Sequence, residues 1–225
     1  KKYKIITYGK INSHINLRSK KNNIEIKIYK KKYLLKLDNY TQFELENIAC
    51  AIACCLSLEM NVGTILKNLK KIENPPGRLE KVSNIIKDIK VYVDYAHTPD
   101  ALKKVLISQT IKNKKPNVVF GCGGNRDKYK RSKMGSIANK YANRVYITDD
   151  NPRNENPSKI RKSIIKSCKK GIEIGNRKQA IKTAINDLKK NDILIIAGKG
   201  HEKTQITNNI MKLFDDVKVA KKELK

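Results

Sequence analysis

Residues 192–202 read Asp-Ile-Leu-Ile-Ile-Ala-Gly-Lys-Gly-His-Glu, an apolar run followed directly by glycines and charged side chains. The same order, a short strand and then an unusual polar loop, occurs earlier in the chain at Val91–Asp94 and at Asn117–Phe120. Segments with helical periodicity lie between these strands. Strands that alternate with helices predict an α/β fold, with a mostly parallel, doubly wound sheet and flanking helices.

The residues before position 75 follow a different pattern. Short alternating runs at Ile5–Tyr8, Asn23–Tyr29 and Tyr33–Leu37 predict antiparallel strands, and Gln42–Leu58 and Val62–Ile72 predict helices. Pro75-Pro76-Gly77 then breaks the chain, and we interpret it as a domain boundary. Beyond it the candidate strands are Val91–Asp94, Asn117–Phe120, Arg144–Thr148, Gly171–Ile174 and Ile193–Ala197, with helices that begin near Thr98, Arg131, Pro157 and Arg177.

The chain is strongly basic, with 50 Lys and Arg against 21 Asp and Glu in 225 residues and a formal charge of +29. Such a surplus is typical of nucleic-acid binders. However, only eight of the 50 are Arg, and the 42 Lys are spread from end to end. Nucleic-acid sites usually cluster Arg because its guanidinium presents a fixed fork of donors. The composition therefore favours surface lysines that accumulated by drift over a site for a polyanion.

Cysteine usage and hydropathy indicate the cellular compartment. The five Cys form an odd count with no paired metal-ligand spacing, which favours a reducing cytoplasm. The longest apolar runs are too short to span a bilayer, and no secretory leader opens the chain. We therefore expect a cytoplasmic protein without a membrane partner. Nothing in the sequence indicates its oligomeric state.

Each cluster of unusual residues follows a predicted strand. The clusters are Asp94–Asp100, Gly121–Lys128, Asp149–Arg153 and Gly198–Glu202. In open parallel sheets, ligands bind outside the carboxyl ends of the strands. The sequence thus predicts one site where cations and carboxylates lie side by side, which suits a charged ligand.

Taken singly, these clusters have ordinary interpretations. Gly121–Gly124 suits a tight turn from strand to helix, and Asp150–Arg153 suits a simple turn with a solvated Arg. His97 and His201 suit loop residues that cap backbone groups. Asp94 suits the cap of the helix that starts near position 99. The prediction of a site rests on the four clusters together.

Two familiar kinds of site are excluded or disfavoured. Gly9-Lys10 and Gly198-Lys199 are not followed by Ser or Thr, so neither is a P-loop. Cys122 lies in the glycine loop without an obvious base and orienting group, which argues against a nucleophilic cysteine.

Read together, the motifs resemble those of the Mur ligases, the ATP-dependent amide-forming enzymes of bacterial cell-wall synthesis, and most closely the diaminopimelate-adding members. The matching strings are Gly77–Glu80, Val93–Asp100, Phe120–Lys128, Asp150–Arg153 and Ala197–Glu202, in the order of the family. Two positions depart from the usual pattern. Gln42–Asn47 replaces the more usual Gly-x-Phe-Asn-x-x-Asn, and Asn125 stands where Asp is more common.

The resemblance implies that residues 1–74 are the C-terminal part of a central ATP-binding domain, an α/β ATPase of which the strand-and-helix end is present. Residues 75–225 would be the Rossmann-like C-terminal domain. The phosphate loop of the family and the segment that carries its carbamylated lysine do not occur in this chain. We therefore expect the isolated chain to be inactive.

The resemblance also implies the ligands. The reaction would use ATP and Mg²⁺ to join meso-2,6-diaminopimelate to UDP-MurNAc-L-Ala-D-Glu through an acyl phosphate. Residues expected to contact or orient the nucleotide are Asn47, Arg78, Asp94 and His97. Residues expected to bind diaminopimelate are Arg126, Asn151, Arg153, Gly198 and Glu202. The guanidinium of Arg binds a carboxylate through two parallel hydrogen bonds, and the carboxylate of Glu202 suits an ammonium. The string Asp-Asn-Pro-Arg is the form seen in diaminopimelate-adding members of the family.

Two other hypotheses stay open on the sequence. One is a sister enzyme, such as a lysine-adding ligase or a folylpolyglutamate synthetase, which substrate-dependent phosphate release would distinguish. The other is a non-catalytic basic module that keeps the ligase fold and binds a polyanion, which salt-sensitive nucleic-acid binding would reveal.

Overall fold

A computed structural model describes residues 5–9, 12–21, 23–36, 40–82 and 88–225. The chain divides into two compact units, Lys1–Glu73 and Asn74–Lys225. Within the described residues, no helix has both the length and the apolar character needed to cross a bilayer.

The first unit packs an antiparallel sheet against a helix. Its elements are β1 (Ile15–Lys20), β2 (Asn23–Ile28), β3 (Lys31–Leu35), α1 (Gln42–Ser57) and α2 (Val62–Leu69). The strands pair in the order β1-β2-β3. In β2 the alternate residues Ile24, Ile26 and Ile28 are buried, as its sequence pattern predicts. Helix α1 begins at a capping box, in which Thr41 and Glu44 satisfy each other's backbone amides.

The predicted strand at Ile5–Tyr8 is wrong, and the structure has β1 instead. In the earlier run, only Tyr8 forms a bridge, to Ile15. Strand β1 does not show alternating apolar and polar residues, because the polar Asn16 is buried in it. Nδ2 of Asn16 donates to the carbonyl of Gly9 at 2.7 Å. Leu37, the predicted end of another strand, lies outside the described residues.

The second unit contains a six-stranded sheet flanked by helices, which confirms the predicted α/β class. Its strands are β4 (Glu80–Lys81), β5 (Lys90–Asp94), β6 (Asn117–Phe120), β7 (Val145–Ile147), β8 (Gly171–Glu173) and β9 (Ile193–Ala197). They lie in the order β4-β5-β9-β6-β7-β8. Among the described strands of this sheet, only the short edge strand β4 is antiparallel to its neighbour.

The central strands are apolar on both faces because helices cover both. Val91, Val93, Leu194 and Ile196 are fully buried in one cluster with side chains of the helices α6 (Arg177–Asn186) and α7 (Asp216–Glu223). The helices α3 (Pro99–Ser108), α4 (Tyr129–Tyr141) and α5 (Pro157–Ile165) pack side by side. Continuous apolar runs of this kind are typical of parallel strands.

The helices of the second unit begin at capping residues, and one helix begins two residues before its predicted start. Thr98, Asn156 and Asn176 cap α3, α5 and α6 through their side-chain oxygens. Helix α4 starts at Tyr129, before the predicted Arg131, and its N-cap Lys128 makes no side-chain cap bond. The cap signal at this helix lies one residue earlier, at Asp127, whose Oδ1 accepts from the amide of Tyr129 at 2.8 Å.

The last part of the chain adds a hairpin and a helix that the strand-and-helix pattern did not predict. The hairpin is β10 (Thr204–Thr207) with β11 (Ile210–Leu213). Helix α7 is tied to helix α6 by an ion pair, in which Nε and Nη2 of Arg177 donate to the two carboxylate oxygens of Asp216 at 2.8 and 2.7 Å. Neither side chain is exposed, so each charge depends on the other.

We predict that Arg177→Leu lowers the free energy of unfolding by roughly 3–5 kcal/mol, because it leaves the buried carboxylate of Asp216 without its counter-charge. Urea unfolding followed by circular dichroism measures the change. Arg144→Ala is the matched control, since its ion pair with Asp187 is about 40% exposed, and it should cost at most about 1 kcal/mol. Equal losses of unfolding free energy for the two variants would contradict the importance of the buried ion pair.

Candidate functional site

The order of the strands brings the four polar loops together at one edge of the sheet. Because β9 lies between β5 and β6, the loop that follows it is adjacent to the loops after both neighbours. The amide of Gly198 donates to the carbonyl of Asp94 at 3.1 Å, and the amide of Gly124 donates to the carbonyl of Asn151 at 2.9 Å. The structure therefore joins the clusters into one continuous surface within the second unit.

The glycine loop after β6 lies against the backbone of the loop after β7. A Cβ atom on Gly124 would be 1.9 Å from the carbonyl oxygen of Pro152, and one on Gly121 would be 2.3 Å from the carbonyl oxygen of Thr148. No side chain fits at either position without separating the loops. These glycines thus act by close approach of backbone to backbone.

Arg153 has a strained backbone conformation, and only part of its guanidinium is hydrogen-bonded within the described part of the chain. Its φ of +53° lies in the left-handed region, which is unusual for a non-glycine residue. The amide donates to the carbonyl of Ile206 at 3.0 Å, and Nη1 donates to the carbonyls of Gly124 at 2.9 Å and Asn151 at 3.4 Å. Nε and Nη2 have no acceptor in the described part of the chain, so they are free for a ligand.

Arg126 is the second cation of this edge. It is exposed, and among the described residues it has no hydrogen bond or ion pair. The preceding Asn125 has a φ of +52°, a conformation that Asn tolerates well, and its amide donates to Oε1 of Glu155 at 2.5 Å. The same oxygen accepts from Nη2 of Arg131 at 3.0 Å. The backbone that carries Arg126 is therefore anchored while its side chain is not.

Lys199 lies at the centre of the site with its side chain fully buried. Its Nζ donates to the carbonyl of Thr204 at 2.6 Å, to Oδ1 of Asn151 at 3.2 Å and to Oε2 of Glu202 at 3.2 Å. These acceptors use all three of its N–H groups. A buried ammonium is costly unless it is satisfied in this way, so the loops after β7 and β9 are fixed around it.

Asn151 and Glu202 are oriented by the same network. Nδ2 of Asn151 donates to Oε2 of Glu202 at 2.9 Å, and Oδ1 also accepts from the amide of Ile206 at 3.0 Å. Both donors to the Glu202 carboxylate meet Oε2, which leaves Oε1 open on a side chain that is 32% exposed. A carboxylate oxygen presented in this way suits a substrate ammonium.

Gly198 provides close backbone access beside a further carboxylate. Its φ is +113°, and a Cβ atom there would lie 2.8 Å from Oδ2 of Asp150. Asp150 is almost fully buried, and its carbonyl accepts from Nε2 of Gln205 at 2.7 Å. The side chain of Asp150 thus places a carboxylate beside Gly198.

The residues expected near the nucleotide form a stack at the other end of this edge. The guanidinium of Arg78 lies 4.8 Å from the ring centre of Tyr95. The Tyr95 ring also contacts the rings of His97 at 4.6 Å and His201 at 5.1 Å. The stack depends on Gly77, where a Cβ atom would be 2.1 Å from the amide nitrogen of His201. Arg78 and His97 are exposed, so both face outward for a ligand.

Asp94 has a positioning role in this stack. Its buried carboxylate accepts from the amides of Leu79 and Ala96, each at 2.8 Å. Helix α3 is capped by Thr98, so the ordinary interpretation of Asp94 as that cap is wrong. By holding Leu79 and Ala96, Asp94 fixes the backbone beside Arg78 and Tyr95.

Asn47 belongs to the first unit, where it is an exposed residue of α1. Its expected role near the adenine stays a prediction.

Two kinds of chemistry are not supported by the described residues. Burial raises the pKa of the Cys122 thiol to about 12, so the thiol stays protonated and is a poor nucleophile. Within the described ranges, no group of three or more His, Cys, Asp or Glu side chains is placed to hold a metal ion.

Lys199 and Tyr95 are the residues that sequence reasoning missed. Gly198-Lys199 fails the test for a P-loop, and one more Lys in a chain with 42 carries no signal. Its position between two glycines, directly after the most apolar strand, is the feature that could have indicated a buried lysine. Tyr95 lies inside the Val93–Asp100 motif, where an aromatic residue between Asp94 and His97 suits stacking.

Comparisons with known proteins identify the family of the chain. The profile of the family "Mur ligase, glutamate ligase domain" matches residues 77–200. The UDP-N-acetylmuramoyl-L-alanyl-D-glutamate–2,6-diaminopimelate ligase of Rickettsia montanensis is 42% identical over 99% of this chain and 47% of its own length. The enzyme of the same name from Buchnera aphidicola is 46% identical over 81% of this chain and 37% of its own length.

A solved structure of a ligase with that name is similar across 98% of this chain and 47% of its own, with a TM-score of 0.65 and 29% identity. The chain thus spans about half the length, or less, of the relatives that it matches. The family profile covers three of the four polar loops at the edge of the sheet and the first residues of the fourth, up to Gly200. The chain belongs to the Mur ligase family.

Proposed function

We propose that this chain is part of an ATP-dependent ligase that adds meso-2,6-diaminopimelate to UDP-MurNAc-L-Ala-D-Glu in cytoplasmic peptidoglycan precursor synthesis. The observation that carries the proposal is the pairing of free Arg donors with an open carboxylate oxygen at one sheet edge. Nε and Nη2 of Arg153 and the whole guanidinium of Arg126 are available on one side, and Oε1 of Glu202 is available on the other. The names of the relatives support the same substrates.

The arrangement suits diaminopimelate better than lysine. Diaminopimelate carries an ammonium and a carboxylate at each end, whereas lysine lacks the second carboxylate. In our proposal the distal carboxylate binds Arg153 and Arg126, while the ammonium binds Glu202 beside Asn151 and Gly198. Lysine would leave the Arg donors without a partner, which a site built for hydrogen bonding penalises strongly.

The chemistry requires an activated acid. A carboxylate of the nucleotide-linked peptide would attack the γ-phosphoryl group of ATP, with release of ADP and formation of an acyl phosphate. The free amine of diaminopimelate then attacks the acyl carbon, the C–O bond to phosphate breaks, and the amine loses a proton. In this scheme the sheet edge orients the amine, which is the positioning contribution that ligases need.

The residues of the stack would serve the nucleotide. Arg78 has donors that suit phosphates. Nδ1 of His97 lies 2.9 Å from the carbonyl of Tyr95, which leaves Nε2 for a ribose hydroxyl. Asp94 fixes the backbone beside Arg78. We assign residues 1–74 to the end of the ATP-binding domain, with Asn47 near the adenine, and residues 75–225 to the C-terminal domain. Mg²⁺ would accompany ATP, and the described residues of this chain form no metal site of their own.

Phosphate release by the protein from the complete gene tests the proposal. The assay contains ATP, Mg²⁺ and UDP-MurNAc-L-Ala-D-Glu, with either meso-diaminopimelate or L-lysine. We expect release with diaminopimelate alone. Phosphate release with lysine would support a ligase but contradict the proposed specificity for diaminopimelate. No phosphate release with either amino acid would contradict the proposed function.

We predict that Arg153→Ala in the same protein lowers kcat/KM for diaminopimelate by about 100-fold or more, since a carboxylate loses its bidentate partner. Steady-state kinetics with varied diaminopimelate measures the loss. Arg144→Ala, which removes an exposed Arg from the same domain, should keep the original kcat/KM. An Arg153→Ala enzyme with full rate and unchanged preference would refute the assignment.

Lys199→Met tests the buried ammonium as a positioning residue. We expect KM for diaminopimelate to rise about tenfold or more with a smaller change in kcat, because Asn151 and Glu202 each lose a hydrogen bond to a charged donor. KM for ATP should stay unchanged. Lys203→Met removes an exposed neighbour and serves as the control. A uniform fall in activity towards all substrates would indicate a merely structural role.

A further inference from the structure

The hairpin of β10 and β11 lies directly against the loop that carries Arg153. Arg153 pairs with Thr207 in a parallel bridge. Its amide donates to the carbonyl of Ile206 at 3.0 Å, and its carbonyl accepts from the amide of Asn208 at 2.7 Å. Both backbone polar groups of Arg153 are therefore bound by the hairpin, at a residue whose φ is left-handed.

A side chain of the same hairpin reaches the start of this loop. Nε2 of the half-buried Gln205 donates to the carbonyl of Asp150 at 2.7 Å and to that of Asp149 at 3.4 Å. The next amide along β10 donates to Oδ1 of Asn151 at 3.0 Å. The hairpin thus holds the loop from its first residue to Arg153.

The turn of the hairpin decides where the amide of Asn208 points. Thr207 and Ile210 pair across the turn, which leaves Asn208 and Asn209 as its two central residues. Their φ values are +49° and +58°, so both are left-handed. This is the pattern of a type I′ turn, in which asparagine is favoured because it tolerates positive φ. The conformation of this turn therefore sets the hydrogen bond to the carbonyl of Arg153.

The outer strand of the hairpin adds little to the hydrophobic core. Ile210, Met211 and Leu213 of β11 are each more than half exposed. A two-stranded hairpin is only marginally stable by itself. Its order therefore depends on the turn, on the pairing of β10 with β11 and on the hydrogen bonds to the loop. Single substitutions at these points should consequently be felt at Arg153.

Arg153 needs this support because its geometry is strained. A left-handed backbone is unfavourable for a residue with a Cβ atom, so the loop would relax if its contacts with the hairpin were lost. The bonds of Nη1 to the carbonyls of Gly124 and Asn151, which leave Nε and Nη2 free, depend on that backbone. A shift of the hairpin would hence turn the free donors away from their place at the sheet edge.

We propose that this hairpin sets the preference for diaminopimelate over lysine, with Gln205 and Asn208 as its positioning residues. Gln205 acts through the carbonyl of Asp150, and Asn208 acts through the carbonyl of Arg153. Both residues thus work through the backbone of the loop and not by contact with the substrate. The inference rests on the proposed function, because it takes Arg153 as the partner of the second carboxylate of diaminopimelate.

The test is steady-state kinetics of the protein from the complete gene, with diaminopimelate, lysine and ATP varied in turn. Gln205→Leu keeps the approximate size of the side chain and removes its donor. We expect KM for diaminopimelate to rise about threefold to tenfold, as for the loss of one hydrogen bond, with kcat and KM for ATP nearly unchanged. The preference for diaminopimelate should fall by a similar factor, since lysine lacks the carboxylate that Arg153 binds. Gln179→Leu makes the same change at an exposed position of α6 and should behave like the parent.

Asn208→Val and Asn208→Gly separate the conformation of the turn from the identity of its side chain. Both variants keep the amide that donates to Arg153, but valine resists positive φ and glycine adopts it readily. We expect KM for diaminopimelate to rise about threefold to tenfold with Asn208→Val, and we expect parent-like kinetics with Asn208→Gly. Should the valine variant fail to fold, Gln205→Leu decides alone.

A parent enzyme that prefers diaminopimelate, with Gln205→Leu and Asn208→Val variants that keep its KM and its preference, would overturn this inference and leave the proposed function intact. Equal losses towards ATP and diaminopimelate would show a merely structural hairpin and would also overturn the inference. A parent enzyme that releases no phosphate with diaminopimelate would overturn the proposed function itself, and the specificity role of the hairpin with it.

Discussion

The buried ammonium of Lys199 is the constraint on which the site depends. It joins the loop after β7 to the loop after β9 by donating to Asn151, Glu202 and the carbonyl of Thr204. Since a charge without exposure must keep its partners, these loops have one arrangement. In that arrangement Asn151 and Lys199 both donate to Oε2 of Glu202, so Oε1 stays open. Asn151 is also held against the backbone of β10.

The fold of the second unit was largely predictable because its signals are local. Apolar runs mark the parallel strands, and Thr98, Asn156 and Asn176 mark helix starts. The order of strands, with β9 inserted between β5 and β6, is a long-range property that no single segment encodes. Strand β1 was missed for a related reason, since its buried Asn16 depends on a partner at Gly9 that the alternation rule does not see.

The residues of the site were predictable by type and motif, but their partners were not. Arg153 and Glu202 stood out as charges after strands. However, the free Nε and Nη2 of Arg153 follow from a left-handed backbone and from carbonyls of the neighbouring glycine loop. The charge surplus was also informative only in part, because Arg131, Arg144, Arg161 and Arg177 turn out to form ion pairs within the protein.

The most direct test of the account is a crystal structure of the complete protein with meso-diaminopimelate. The account predicts one carboxylate on Nε and Nη2 of Arg153, and an ammonium on Oε1 of Glu202 with Lys199 still in place between Asn151 and Glu202. Diaminopimelate bound in the reverse orientation, or at a surface away from this edge, would contradict it.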